Sequence, residues 1–80
     1  MLFLAIQTHK PKDCPVNHEN HSPLWDTKNE KVTVKNIYAC PPTHVLYFVL
    51  ESSDFSEIQE FFAPGMGRSV VDIKPVSEVK

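Results

Sequence analysis

Arginine occurs once in this chain, at Arg68, glycine only twice, and no apolar run is long enough to span a bilayer. A nucleic-acid surface needs clustered Lys and Arg to displace counterions. A single arginine and a formal net charge of −2 therefore argue against DNA or RNA as partners. Two glycines alongside 41% hydrophobic residues exclude a disordered tail and indicate a folded globular domain. Repeats and low-complexity segments are absent. The two cysteines, Cys14 and Cys40, form no Cys-x-x-Cys motif, so a reversible disulfide between them is the one redox option. The apolar opening Met1 to Ile6 lacks a basic leader and a small-residue cleavage site and reads as a strand. The expectation is a cytoplasmic protein without a membrane partner, its cysteines normally reduced.

Eighty residues make one domain, expected over 1–76 with a short tail at 77–80. A chain of this length hides only about 60% of its unfolded surface, so help from a partner, a metal or a disulfide is expected. Leu2 to Thr8 forms a first strand, ended by His9-Lys10-Pro11. Ser22-Pro23-Leu24-Trp25 supplies a cap, a first-turn proline and two apolar anchors, predicting a short helix near Pro23 to Asn29. Lys31 to Ala39 alternates imperfectly, slipping at Lys35-Asn36 as an edge strand with a bulge would. Cys40-Pro41-Pro42-Thr43 turns the chain into a third strand, His44 to Glu51, rich in branched and aromatic residues. Phe55, Ile58, Phe61 and Phe62 then fall on one helical stripe behind Ser52-Ser53-Asp54, and Ser69 to Lys74 reads as a last strand.

The order β-α-β-β-α-β is the split pattern of an α+β, ferredoxin-like fold, a four-stranded antiparallel sheet with two helices on one face and the first and third strands central. Both central strands are apolar on both sides. Leu2, Leu4 and Ile6 oppose Phe3 and Ala5, while Val45, Tyr47 and Val49 oppose Leu46, Phe48 and Leu50. Two helices cover one face only, and an antiparallel sheet open to water would alternate with polar residues. The expectation is a homodimer formed through the other face.

The element order, the opening Met1-Leu2-Phe3-Leu4-Ala5-Ile6-Gln7-Thr8-His9 and the helix-plus-strand ending from Ser53 to Val76 resemble the dimeric α/β-barrel group of the ferredoxin-like fold, especially its small single-domain members. Characterised members of that group include haem-binding proteins, small monooxygenases and isomerases of small organic molecules. The resemblance implies a ligand-sized cavity more than one chemistry. The short first helix expected here departs from the longer one usual in the group.

In this topology His9, Cys14, Cys40, His44, Met66 and Arg68 share one rim. His9, Cys14, Cys40 and His44 make an N/S ligand set suited to zinc, or to cuprous copper with Met66. Their spacings allow chelation but match no zinc-knuckle pattern. The alternative is a small-molecule site or an acid–base enzyme. His9 would be the general base, Arg68 would hold an anion aided by backbone N–H groups of Gly65-Met66-Gly67, and Tyr38 and Tyr47 would line the cavity. A purely structural or interaction module is the third reading. His18 and His21 sit among Asn17, Asn20, Ser22 and Pro23, the composition of a solvated loop. The carboxylates Glu51, Asp54, Glu57 and Glu60 are distributed as cap and solvent-face charges, with no catalytic pair.

Overall fold

A computed structural model describes residues 1–11 and 24–79. It shows an α+β fold. Four strands, β1 (Leu2–His9), β2 (Thr33–Cys40), β3 (Val45–Glu51) and β4 (Ser69–Val76), form an open antiparallel sheet in the order β2-β3-β1-β4. One α-helix, α1 (Phe55–Phe62), lies among the described residues. No helix there is long and apolar enough to cross a membrane.

The period-2 pattern of the strands decides which side chains are buried. On β1 Phe3, Ala5, Gln7 and His9 are buried on one face, while Leu2, Leu4 and Ile6 are half-buried on the other. On β3 Leu46, Phe48 and Leu50 join the buried face, and Val45, Tyr47 and Val49 the open one. Helix α1 starts at Asp54, whose carboxylate accepts the Ser56 N–H, and lays Ile58, Phe61 and Phe62 against Phe3, Phe48 and Leu50. Phe48 is the hub, meeting Trp25, Phe61 and Phe62 edge to face with ring centroids 5.3, 6.2 and 5.1 Å away. Each such large apolar side chain contributes about 1.5–3 kcal/mol on burial, and each aromatic contact adds about 0.5–1.5 kcal/mol.

The helix expected near Pro23 to Asn29 is corrected, since Leu24 to Asn29 form turns and bends. The cause lies in two side chains that satisfy backbone donors locally. Asp26 Oδ1 accepts the Lys28 N–H, and Asn29 Oδ1 accepts those of Lys31 and Val32. Leu24 and Trp25 are anchors as expected, but of a loop. Leu24 is fully buried, Trp25 packs on Phe48, and the Asp26 N–H is bonded to the Phe61 carbonyl. The bulge falls where the polar slip predicted it, between Val34 and Asn36. The last strand runs past Lys74 to Val76, taking in Pro75, because β4 is an edge strand and a missing N–H is tolerated there.

Candidate functional site

The end of β1, the β2–β3 turn and the start of β4 meet at one end of the sheet. Thr8 pairs with Val45, Val45 with Cys40, and His9 with Ser69. His9 is 6% exposed, and its backbone N–H donates to the His44 carbonyl at 3.0 Å. Pro41-Pro42-Thr43 forms a single 3-10 turn with proline φ preset, and its closing residue, His44, sits in the left-handed region at φ 55, ψ 47. That conformation is uncommon without glycine, and here it carries the His44 ring onto that of His9. The two imidazoles meet edge to face with centroids 5.6 Å apart and planes at 77°. His44 Nδ1 is buried and has no hydrogen-bond partner among the described residues.

Cys40 shares the rim but not the face. It is a half-buried free thiol, and its register with Val45 and Thr8 places it on the opposite side of the sheet from His9. Among the described residues no group of three His, Cys, Asp or Glu side chains surrounds a common point. Cys14, His18 and His21 lie outside the described residues.

Arg68 reaches the same end from the other side. Its Nη2 donates to the Pro64 carbonyl at 2.8 Å, and its backbone N–H to Gly65 at 3.1 Å. A shallow groove of about 380 Å³ runs between Thr8, His9, Lys10, Gly67, Arg68, Ser69 and Val70, so His9 and Arg68 share a wall. One expected contribution is corrected. The Met66 N–H donates to the Ala63 carbonyl, so it belongs to the 3-10 turn Ala63–Gly65 rather than to an anion cradle. Met66 itself is 79% exposed. Tyr38 and Tyr47 pair across β2 and β3 on the open face, and the groove is lined without them.

No family model, curated protein or solved structure matches this chain. Its chemistry is therefore read from its own residues. Gln7 is not among the candidates expected from the sequence, although a polar residue within an otherwise apolar strand is a visible signal. Gln7 is fully buried, and its Nε2 lies 2.9 Å from the Leu24 carbonyl and 3.1 Å from Ser69 Oγ, which in turn donates to the Gly65 carbonyl. This cluster ties the Leu24 loop and the groove's floor to β1. Thr8 and Lys10 were also missed, being visible as groove residues only once β4 is laid beside β1. The carboxylate Glu57 is structural. Ser52 and Ser53 hydroxyls donate to its Oε1 at 2.6 and 3.0 Å, and these bonds hold its pKa below the ordinary carboxylate value.

Proposed function

We propose that this chain is a ferredoxin-like subunit of a homodimer that binds a soft transition-metal ion, zinc or cuprous copper, at its strand-end rim. The His9–His44 pair carries the reading. A tetrahedral ion with metal–nitrogen bonds of about 2.0–2.1 Å keeps the centroids of two ligating imidazoles about 5 Å apart. The observed separation of 5.6 Å is close to that, in rings already brought together by the β1–β3 register and a left-handed turn. Bringing two imidazoles together before the ion arrives lowers the ordering cost of binding. The sequence-derived ligand set adds Cys14, which lies outside the described residues, and Cys40, whose register places it on the opposite face of the sheet from His9.

Zinc titration against a chromophoric chelator, on the whole chain purified in reducing buffer, tests this. The expected result is one tight site per chain, lost in His9→Gln, His44→Asn and Cys14→Ser and retained in Cys40→Ser. Weak, substoichiometric binding of zinc, and of cuprous copper in a parallel titration, would end the metal reading.

The groove supports a second reading, because it brings His9 and Arg68 together. In that reading a small carboxylic acid docks on Arg68 and His9 takes up a proton. Thermal-shift screening with small carboxylates checks it. Stabilisation that disappears in Arg68→Ala is expected, and no response from any carboxylate would remove the proposal.

A further inference from the structure

We infer that the side-chain oxygen of Gln7 is a third donor at the rim, beside the imidazoles of His9 and His44, and that the site therefore prefers zinc to cuprous copper. This rests on the metal reading above and deepens it, naming a donor and choosing between the two ions.

Gln7 is fully buried, and the two ends of its amide are in opposite conditions. Nε2 donates to the Leu24 carbonyl at 2.9 Å and to Ser69 Oγ at 3.1 Å. Oε1 is buried and has no hydrogen-bond partner among the described residues. Turning the amide over would set Oε1 against the Leu24 carbonyl oxygen, so the acceptor is held where it is. Buried acceptors are nearly always paired, and one held in place without a partner marks room for a group that the chain itself does not supply, an ion or a water. His44 Nδ1 is in the same condition.

Register brings these atoms to one place. Gln7 and His9 lie two residues apart on the buried face of β1, Gln7 opposite Val71 and His9 opposite Ser69. The Gln7 amide bonds Ser69 and so leans along the strand to the level of His9, instead of standing over its own partner Val71. His9 in turn meets the His44 ring and donates its backbone N–H to the His44 carbonyl. The amide oxygen and the two imidazoles thus share one face at one end of the sheet.

The donor types choose the ion. Imidazole nitrogen with carbonyl oxygen suits a divalent ion such as zinc, whereas cuprous copper favours thiolate and thioether sulfur. Of the sulfur donors among the described residues, Cys40 is on the opposite face of the sheet from His9 and Met66 is 79% exposed.

Parallel titrations of the whole chain with zinc and with cuprous copper, in anaerobic reducing buffer, compare the unaltered protein with Gln7→Met. Methionine is close to glutamine in length and puts a soft thioether in place of the oxygen. Zinc affinity should fall by about 10–100-fold while copper affinity holds or rises, so the zinc-to-copper ratio falls. A purely structural role for Gln7 weakens both ions alike, and an unchanged ratio overturns the inference. Trp25 fluorescence reports folding in each sample, because its ring packs on Phe48 in the core.

If Gln7→Met does not fold, the unaltered chain decides. Its glutamines are Gln7 and Gln59 alone, and Gln59 is exposed on α1, so their side-chain carbonyl carbon resonances are readily told apart. Zinc should shift the Gln7 resonance and leave that of Gln59 in place. An unmoved Gln7 resonance in the zinc-loaded chain means that a buried water answers the acceptor, which overturns the inference and leaves the metal reading standing. A chain that binds neither ion tightly ends both.

Discussion

Gln7 Nε2 donates to the Leu24 carbonyl at 2.9 Å, joining the middle of the sheet to a loop 17 residues further along the chain. A carbonyl only accepts, so this contact fixes which way the amide faces. Gln7→Ala removes the bonds to Leu24 and Ser69 and leaves a cavity beneath the loop. A loss of about 2–3 kcal/mol is expected, read from the urea midpoint at unchanged slope.

Gly65 lies against the same cluster. A Cβ there would sit 2.3 Å from the Leu24 carbonyl oxygen and 2.9 Å from both Gln7 Nε2 and Ser69 Oγ. The nearest atom is backbone and cannot swing aside, so Gly65→Ala should cost about 2 kcal/mol or more. At Gly67 the surroundings are open but φ is +80°, so Gly67→Ala should cost only about 1 kcal/mol, through strain. Thermal melts of the two variants side by side test the ranking.

His44 separates turn geometry from imidazole chemistry. Asparagine tolerates the left-handed region, so His44→Asn should keep stability within about 0.5 kcal/mol, whereas His44→Ala should lose about 1 kcal/mol more. Both remove the ring that meets His9. If metal binding survives in His44→Asn, this imidazole is no ligand.

Glu57 predicts a pH dependence of definite sign. Its pKa is lowered in the fold, chiefly by the Ser52 hydroxyl and then by Ser53. The stabilisation it provides is therefore present above its ordinary value of 4.5 and is lost as pH falls through the lower folded value. The melting-temperature gap between the unaltered chain and Glu57→Gln should be open at pH 6 and close as the solution is acidified toward pH 3. A gap that widens on acidification would contradict the assignment.

Much of the sheet is legible without coordinates, because strand signals are local. The apolar run at the start of Leu2 to Thr8, the branched and aromatic run into Leu50 and the slip at Lys35 all survive into the structure. Of the expected helical stripe, Ile58, Phe61 and Phe62 are buried, whereas Phe55 at its start is 43% exposed. The helix near Pro23 to Asn29 fails at Leu24 to Asn29 because helix propensity there is weak and two side chains, Asp26 and Asn29, satisfy the backbone instead. That competition between equally local hydrogen bonds is decided by burial of Leu24 beneath Gln7, a contact between distant parts of the chain.

The candidate site divides in the same way. The element order expected from the sequence placed His9, Cys14, Cys40, His44, Met66 and Arg68 at one end of the sheet, since that topology brings their strand ends and loops together. Only the register and the turn decided that His44 meets His9 while Cys40 faces the other side of the sheet. Sequence by itself determined the apolar periodicity, the strand and helix stripes and the scarcity of basic charge, because these follow from residue type and spacing. The tertiary structure decided which polar groups meet. A one-residue change of register sends a side chain to the opposite face and a single left-handed residue redirects another, so which rings meet depends on pairings between residues as far apart as Thr8 and Val45.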